Sequence, residues 1–212
     1  MARMEYPEGM DLAATRLARQ ARKGRGAASN RAGRYERHAG AACDDGWGSL
    51  DQPLERLRTI VQADRSRSVI TRNASPDLGF DRSINAYRGC EHGCAYCYAR
   101  PTHAYLGLSP GQDFESRIFA KHDAPAQLKR ELAKSGYRAR MIALGTNTDP
   151  YQPVERRLEI TRGILSVLSE YHHPVGIVTK SALVTRDIDI LEALARRNLV
   201  KVVLSVTTLD GE

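Results

Sequence analysis

From residue 83 onward, short apolar runs alternate with amphipathic stretches, and this alternation restricts the fold more than any other feature of the sequence. Five runs read as strands, over residues 83–87, 117–121, 140–144, 175–179 and 200–206. Apolar residues recur at helical spacing over residues 124–134, 161–171 and 187–197, and a further helix is expected over 98–106. Strands that alternate with helices in this way are typical of a parallel sheet with helical crossovers. The sequence therefore predicts an α/β fold.

The length of this alternating region predicts a partial barrel. A complete eight-unit (β/α) barrel takes roughly 250 residues, or about 30 for each unit, so residues 83–212 have room for about four units. An apolar parallel strand at an open edge promotes aggregation, and the sequence ends a few residues after the last predicted strand. We therefore expect the natural protein to be longer, with residues 83–212 forming a (β/α) core that is truncated after the fourth main strand.

The first 50 residues differ in composition from the rest. Residues 16–37 contain eight Lys or Arg and one acidic residue, with interspersed glycines and little apolar periodicity. We interpret residues 1–50 as a flexible, largely disordered basic arm, and an arm that neutralises DNA or RNA phosphates is the functional alternative. Residues 51–82 are expected to form an extension that packs on the core, with the apolar residues of 54–61 at helical spacing.

The net charge and the hydropathy of the sequence predict what the protein binds and where in the cell it is located. The formal net charge of +7 favours an anionic partner such as DNA or RNA. No apolar run approaches the roughly 20 residues that cross a membrane, and the N-terminal residues lack the apolar region of a secretory signal. We therefore expect no membrane partner and a cytoplasmic location, where thiols stay reduced.

Three of the four cysteines lie within eight residues. Cys90, Cys94 and Cys97 have the spacing C-x3-C-x2-C. Reduced thiolates are soft ligands, so their clustering indicates a metal site rather than disulfides. A closed tetrahedral zinc site needs four protein ligands, and a [4Fe-4S] cube held by four cysteines has no free coordination position. Three close cysteines would leave one iron of such a cube open to another ligand.

Polar residues follow the other three main strands. Functional residues of parallel α/β folds gather where the strands end, which places the cysteines at one rim with the polar groups at 145–153, 179–181 and 205–210. Each group also has a simple structural explanation. The first could form a turn, the second could contain a solvated lysine, and the third could consist of hydroxyls with hydrogen-bond partners in the strand. Together, beside three cysteines, they indicate a site for a zwitterionic or nucleoside-like ligand.

The cysteine segment resembles the signature of a known enzyme superfamily. The spacing of the three cysteines, with Tyr96 just before the last one, is similar to the motif of the radical S-adenosylmethionine (SAM) superfamily. The wider sequences NAYRGCEHGCAYCYARPTH (85–103) and TDPYQPVE (148–155) resemble the branch that includes spore photoproduct lyase and its "DNA repair photolyase" relatives. The resemblance covers residues 83–210 and implies a partial parallel (β/α) barrel of the radical SAM type.

This resemblance implies a reaction and its cofactors. Cys90, Cys94 and Cys97 would hold a [4Fe-4S] cluster, and SAM would chelate the open iron through its amino and carboxylate groups. An electron from the reduced cluster would cleave SAM to methionine and a 5′-deoxyadenosyl radical, which abstracts hydrogen from a substrate. The implied partners are SAM and an electron donor of the flavodoxin or ferredoxin type. The branch implies a lyase-like enzyme that repairs or modifies nucleic acid.

Carried over residue by residue, the resemblance also implies contacts to SAM. The expected SAM-binding residues are Tyr96, Gly145, Thr146, Asn147, Thr148, Asp149, Lys180, Ser181 and Ser205. The tyrosine is expected near the adenine, the five loop residues near the amino group, and the last three near the carboxylate or ribose. The loop departs from the family's common Gly-Gly-Glu form, and the sequence assigns no residue to the substrate.

A non-catalytic protein that binds zinc or an iron–sulfur cluster and associates with nucleic acid is the alternative. Zinc on the three cysteines would take His92 or His103 as its fourth ligand. His92 lies inside the cysteine segment, where ring strain disfavours it, whereas His103 is expected to be reachable. A ferredoxin-type cluster would need Cys43, which is remote in the sequence and lies in a turn-rich context.

Overall fold

The computed structural model describes residues 25–35 and 57–207, which form two sheets and the helices that connect their strands. The strands are β1 (Ile60–Ala63), β2 (Thr71–Arg72), β3 (Arg82–Ile84), β4 (Tyr87–Arg88), β5 (Arg117–Ala120), β6 (Ile142–Leu144), β7 (Val175–Thr179) and β8 (Val200–Leu204). The α-helices are α1 (Gln112–Ser116), α2 (Ala124–Leu132), α3 (Glu155–Leu158), α4 (Ile160–Glu170) and α5 (Ile188–Ala195). Two 3₁₀-helices span Arg100–Leu106 and Ala182–Asp187.

The larger sheet has the strand order β2-β3-β6-β7-β8. Strand β2 is antiparallel to β3, and the other four strands are parallel. The register aligns Ile84 with Leu144 and Leu144 with Ile177, so the carboxyl ends of three strands lie side by side. The predicted α/β fold with parallel strands is confirmed, and its closure toward a barrel stays a prediction.

The first main strand is shorter than predicted. The chain over residues 83–87 divides into β3, which belongs to the larger sheet, and β4, which pairs with β5 in a separate sheet of order β1-β5-β4. The break falls at Asn85, whose carbonyl accepts a hydrogen bond from Lys121 Nζ at 2.7 Å instead of joining a ladder. The prediction of one continuous strand is therefore wrong, because tertiary contacts turn the chain between the sheets.

The helical spacing at 54–61 predicted a helix, and this prediction is wrong for the part of the segment that the structure describes. Residues Ile60–Ala63 form β1, which pairs in parallel with Arg117–Ala120. A two-turn pattern carries little information against strand pairing, since β-branched residues such as Ile60 and Val61 suit either structure. The expected helix over 98–106 is a 3₁₀-helix that begins with Pro101 in its first turn and ends at Gly107.

The core lies between the larger sheet and the helices that cover it. Ile84, Ile142 and Ile177 of the sheet are buried together with apolar side chains of α2 and α4. Helix α4 presents Ile164, Leu165 and Leu168 to this core, and Leu128 of α2 is fully buried. By contrast, the apolar residues of β8 are largely exposed. No helix among the described residues is long and apolar enough to cross a membrane.

Only part of the predicted basic arm lies within the described residues. Residues 25–35 run along α1, where the Gln112 N–H donates to the Ser29 carbonyl at 3.2 Å and Asn30 Nδ2 donates to Asp113 at 3.0 Å. The sequence did not predict this packing. The rest of the arm, including Cys43, lies outside the described residues.

Candidate functional site

The three clustered cysteines lie beside the carboxyl ends of β6, β7 and β8. A cavity of about 170 Å³ is lined by Cys90, His92, Cys94, Tyr96, Cys97, Tyr98, Gly145, Asn147, Thr148, Asp149, Val178, Thr179, Lys180 and Ser205. Cys90 is buried and the other two cysteines are half-buried, and all three are free thiols. The topology thus brings the cysteine loop (residues 89–98) together with the 145–152 loop and the ends of two further strands.

A buried glutamine fixes one side of the cysteine loop. Gln152 is fully buried, and its Oε1 accepts the Glu91 N–H at 2.9 Å while its Nε2 donates to the Gly89 carbonyl at 3.2 Å. The amide therefore bridges the backbone groups on both sides of Cys90. Since buried backbone groups need partners, this bridge fixes the position of the buried thiol.

An arginine fixes the other side of the loop. Arg100 Nε donates to the Cys94 carbonyl at 2.9 Å, and Nη2 donates to the Gly93 carbonyl at 2.8 Å and to the buried Glu115 carboxylate. The guanidinium group has five N–H donors in a rigid plane, which allows one side chain to hold several loop atoms at once. Arg100 thereby sets the turn between the first and second cysteines.

The 145–152 loop is organised by a side chain from the preceding strand break. Asn85 Oδ1 accepts the N–H groups of Asn147 at 3.0 Å and Thr148 at 3.4 Å, and its Nδ2 donates to Thr146 Oγ1 at 3.3 Å. Thr148 is buried, and its hydroxyl donates to the Tyr87 carbonyl at 3.1 Å. The break between β3 and β4 therefore supplies the amide that shapes this loop.

Asp149 joins the 145–152 loop to the end of β7. Its carboxylate accepts the Tyr151 N–H at 2.8 Å, the Thr179 hydroxyl at 2.7 Å and the Lys180 N–H at 2.9 Å. With these three donors, Asp149 is a structural element of the cavity wall. Its remaining contact in the site is His92, whose Nε2 lies 3.6 Å away.

Gly145 allows a close approach between two strands at the same wall. Its φ is +88°, in the left-handed region that favours glycine. A Cβ at this position would lie 2.0 Å from the Val178 carbonyl oxygen. A side chain here would therefore push β6 and β7 apart at the cavity.

Lys180 is the cationic group of the cavity. Its Nζ lies 3.1 Å from Cys94 Sγ, 3.1 Å from the Tyr96 hydroxyl and 5.5 Å from the centre of the Tyr96 ring. Hydrogen bonds to Cys94 and Tyr96 raise the pKa of the Lys180 ammonium above its usual value. The ammonium group therefore stays charged at neutral pH and favours an anion in the cavity.

The two histidines occupy different environments from those expected. His103 is fully buried, its Nε2 lies 2.9 Å from the Arg117 carbonyl, and its ring packs edge-on against Phe114. The prediction that His103 is the reachable histidine is therefore wrong. His92 instead lines the cavity, and burial lowers its pKa, which favours the neutral imidazole that binds metals.

The donor set fits a cluster that is held by thiolates. Burial raises the pKa of the Cys90 thiol to about 12, so binding to a metal would displace its proton. Within residues 25–35 and 57–207, no three His, Cys, Asp or Glu side chains converge as ligands of one ion would. A cubane does not require such convergence, because each thiolate ligates a different iron.

Seven of the nine predicted SAM-binding residues line the cavity and two do not. Those that line it are Tyr96, Gly145, Asn147, Thr148, Asp149, Lys180 and Ser205. Thr146 instead accepts a hydrogen bond from Tyr98 on its carbonyl, and the Ser181 hydroxyl caps a 3₁₀-helix by accepting the Leu183 N–H at 3.2 Å. Sequence reasoning missed Tyr98 and Val178 of the cavity wall, and it assigned no role to Gln152, Arg100 or Asn85.

Comparison with known families agrees with the cysteine spacing and the parallel sheet. The family model of the Radical SAM superfamily matches residues 84–212, well over half of the chain. The chain belongs to the Radical SAM superfamily. Members of this superfamily are enzymes that carry out SAM-dependent radical chemistry with a [4Fe-4S] cluster and a reductant.

The radical SAM protein is similar to several proteins that are named as uncharacterized. Uncharacterized proteins of Mycobacterium tuberculosis and Mycobacterium bovis are each 42% identical to it over 135 residues, which are 64% of this chain and 40% of each relative. An uncharacterized protein of Methanocaldococcus jannaschii is 29% identical over 128 residues, or 60% of this chain and 45% of the relative. The chain thus spans less than half the length of these relatives. No solved structure matches it.

Proposed function

We propose that Cys90, Cys94 and Cys97 hold a [4Fe-4S] cluster and that SAM binds beside it in the cavity described above. The observation that carries the proposal is that three free thiols share one cavity with the loops that follow β6, β7 and β8. When bound, the cluster supplies one electron for the reductive cleavage of SAM. The residues of the chain bind and orient SAM and exclude water.

The polar wall of the cavity suits a zwitterion that also carries a nucleoside. Lys180 Nζ provides a positive charge for the SAM carboxylate, and the polar residues Asn147 and Ser205 also line the cavity. Tyr96 and Tyr98 are 72% and 76% exposed, and their aromatic surface suits packing against the adenine. Asp149 keeps the role of joining the wall to β7, since its carboxylate oxygens are already engaged.

The proposed substrate is nucleic acid, modified or repaired in a lyase-like reaction of the spore photoproduct lyase branch. Support comes from the net charge of +7 and from exposed aromatic side chains at the cavity and elsewhere on the described surface. Tyr105 is 71% exposed and its ring lies 5.3 Å from that of Tyr35, centre to centre. Exposed aromatic faces near basic residues are the groups on which unpaired bases stack.

The domain organisation that goes with this function has three parts. Residues 1–50 form a basic arm toward the polyanion that is anchored on α1 through residues 25–35. Residues 51–82 pack on the core, and residues 83–212 form the partial radical SAM barrel. A flavodoxin- or ferredoxin-type donor reduces the cluster. The proposed compartment is the cytoplasm, since ligand thiols must remain reduced.

Anaerobic reconstitution tests the central proposal. The full chain is loaded with iron and sulfide and reduced, and its electron paramagnetic resonance spectrum is recorded with and without SAM. We expect a [4Fe-4S] signal that changes on SAM addition, together with formation of 5′-deoxyadenosine and methionine. Cys94→Ala should lose the cluster. A variant that keeps a full cluster would contradict the ligand assignment.

Zinc binding is the second candidate. The three cysteines and His92 do not converge as the ligands of one ion would among the described residues, but one observation favours zinc. His92 lines the cavity, and its buried Nε2 has no hydrogen-bond partner among the described residues, as a fourth ligand beside three cysteines would require. Metal analysis of the purified chain separates the two. One zinc for each chain, lost in His92→Ala, would support this candidate; iron and sulfide retained in His92→Ala would exclude it.

Salt dependence tests the nucleic-acid partner. Deleting residues 1–24 removes four of the eight basic residues of 16–37 and leaves the packed segment 25–35 in place. We expect weaker binding to single-stranded DNA or RNA, with a smaller slope of log affinity against log salt concentration. An unchanged slope would show that the deleted residues do not contact phosphates.

A further inference from the structure

A segment from much earlier in the chain, residues 25–27, lies against the cysteine loop and is here called the strap. Glu115 of α1 is fully buried, and its carboxylate accepts the N–H groups of Arg25 at 2.8 Å, Gly26 at 3.2 Å and Ala27 at 2.7 Å. A buried carboxylate is costly unless charge and hydrogen bonds compensate it. Three consecutive backbone donors supply much of that compensation, so the strap and Glu115 depend on each other.

The same carboxylate is connected to the cysteine loop through an arginine. Arg100 Nη2 donates to Glu115 and, at 2.8 Å, to the Gly93 carbonyl, while Nε donates to the Cys94 carbonyl at 2.9 Å. The side chain of Arg100 is 12% exposed and that of Glu115 is completely buried. One ion pair therefore links the strap on one side with two carbonyls of the cysteine loop on the other.

The strap and the loop also touch directly, backbone against backbone. A Cβ on Gly26 would lie 1.9 Å from the Gly93 carbonyl oxygen, and a Cβ on Gly93 would lie 2.6 Å from Arg25 Cβ. Gly93 has a φ of +61°, so two glycines meet where any side chain would separate the segments. Such contact between strap and loop requires the absence of side chains at both positions.

The strap also contacts the residue that follows the first cysteine. Arg25 Nη2 donates to Glu91 at 3.2 Å and to Thr59 at 2.7 Å, and the Thr59 hydroxyl donates to Glu91 at 2.6 Å. Glu91 follows Cys90 directly and is buried. The strap is therefore hydrogen-bonded to the residue after the first cysteine, and it is linked through Glu115 and Arg100 to the carbonyl of the second cysteine.

We propose that Glu115 and Arg100 are positioning residues that hold the strap across the cysteine loop and thereby fix the loop in the shape that receives the cluster. The proposal rests on the proposed function. Buried ion pairs add little net stability but can specify one arrangement of the groups they join. Here the arrangement concerns the carbonyls of Gly93 and Cys94, which set the direction of the second thiol.

Thiol reactivity in the full, metal-free chain gives a readout that does not depend on activity. We measure the rate at which iodoacetamide alkylates Cys94 and Cys97, resolved by peptide mass spectrometry, and the hydrogen exchange of amides 25–27. Glu115→Gln places an amide N–H against the strap donors. Loss of charge-assisted hydrogen bonds should raise both rates about tenfold, and the reconstituted variant should retain less iron after desalting.

Two further variants separate positioning from a general loss of stability. Gly26→Ala displaces the strap without altering Glu115 and should raise the same rates. Glu131→Gln is the matched control, because Glu131 likewise accepts backbone N–H groups, from Val69 at 2.6 Å and Ile70 at 3.4 Å, but lies outside the strap contacts. It should leave alkylation of Cys94 at the wild-type rate.

The outcomes distinguish this proposal from the proposed function. If Glu115→Gln and Gly26→Ala both keep the wild-type alkylation rates, the positioning proposal is wrong. It is also wrong if Glu115→Gln alone raises the rates, because displacing the strap in Gly26→Ala would then not affect the thiols. If Glu131→Gln raises the alkylation rate of Cys94 as much as Glu115→Gln does, the effect comes from a general loss of stability and not from positioning. If the wild-type chain assembles no cluster while the strap variants raise alkylation, the proposed function fails and the positioning of the thiols stands.

Discussion

The two loops that face each other across the cavity are built in opposite ways. The cysteine loop is held by side chains that reach it from other elements, chiefly Gln152 and Arg100. The 145–152 loop is held by its own Asp149 and by Asn85, which the strand break places next to it. One loop is therefore held mainly by side chains from outside it, whereas the other uses its own carboxylate for its structure.

The difference shows which polar residues are available to a cofactor. Thr148 and Asp149 have the residue types of ligand contacts, yet the hydroxyl of the first bonds to a carbonyl and the carboxylate of the second accepts three donors. By comparison, the Cys94 thiol contacts a side chain of the cavity, Lys180 Nζ at 3.1 Å. Mutations in the two loops should therefore have different consequences, and the following predictions test this from the largest effect to the smallest.

Gly145→Ala should be the most destabilising change in the 145–152 loop. The left-handed conformation and the 2.0 Å approach to the Val178 oxygen together predict a loss of about 4 kcal/mol in the free energy of unfolding. Urea denaturation measures it. Gly136→Ala is the control, since its φ is +80° and its Cβ meets no atom within 4 Å, so it should cost only about 1 kcal/mol. Equal losses in the two variants would contradict the close approach.

Gln152→Ala should affect the cysteine loop most. The substitution leaves the Glu91 N–H and the Gly89 carbonyl buried without partners. We therefore expect the free energy of unfolding to fall by about 3 kcal/mol. Hydrogen exchange at amide 91 should accelerate by more than global unfolding explains. Gln127→Ala, which removes a buried amide bonded to the Ser66 carbonyl, is the matched control. Slow exchange at amide 91 in Gln152→Ala would refute the bridging role.

Asn85→Ala should have a smaller effect, restricted to the 145–152 loop. Two backbone N–H groups lose their acceptor, but both lie beside a cavity that water can enter. We therefore expect the free energy of unfolding to fall by about 2 kcal/mol. Asn73→Ala is the control, because Asn73 organises a separate turn by accepting the Ser75 N–H and donating to the Phe80 carbonyl. Faster exchange at amides 147 and 148 in Asn73→Ala would contradict this assignment.

A pH titration of stability should give the smallest effect, and it concerns a site remote from both loops. Burial is the main reason that the pKa of His173 is lowered, and the charge of Arg82 adds to it. The unfolded state then binds more protons, so the free energy of unfolding should fall as pH drops below about 6.5, the ordinary histidine pKa. His173→Gln should reduce this dependence only in part, because burial also lowers the pKa of His92 and that of His103. An unchanged slope would mean that other groups control it.

Much of the architecture could be predicted from local sequence. The apolar runs at Ile142–Leu144 and Val175–Thr179 and the amphipathic pattern of Ile160–Glu170 predicted elements that the structure contains. These predictions succeeded because burial on one or two faces requires a periodic pattern. The division of residues 83–87 between two sheets was not predictable, since β3 has three residues and β4 has two, and only their pairing partners distinguish such short pieces.

The candidate site was predictable in its chemistry and less so in its construction. The cysteine spacing indicated the superfamily, and the order of the strands indicated which loops would meet it. The roles of Arg100 and Glu115 were not predictable, because each depends on partners distant in the sequence, such as Glu115 with the strap 90 residues earlier. His92 and His103 exchanged their expected roles for the same reason, since burial is a property of the tertiary structure.

The sequence by itself determined the type of site: three soft thiols at one spacing, placed after a strand and followed by further strands with polar ends. Only the tertiary structure decided which polar residues remain available there. Hydrogen-bond partners are assigned when distant segments meet, and a buried donor or acceptor must take whichever partner the fold provides. Asp149 and Thr148 became parts of the wall in this way, and Cys90, Cys94 and Cys97 remained as free thiols.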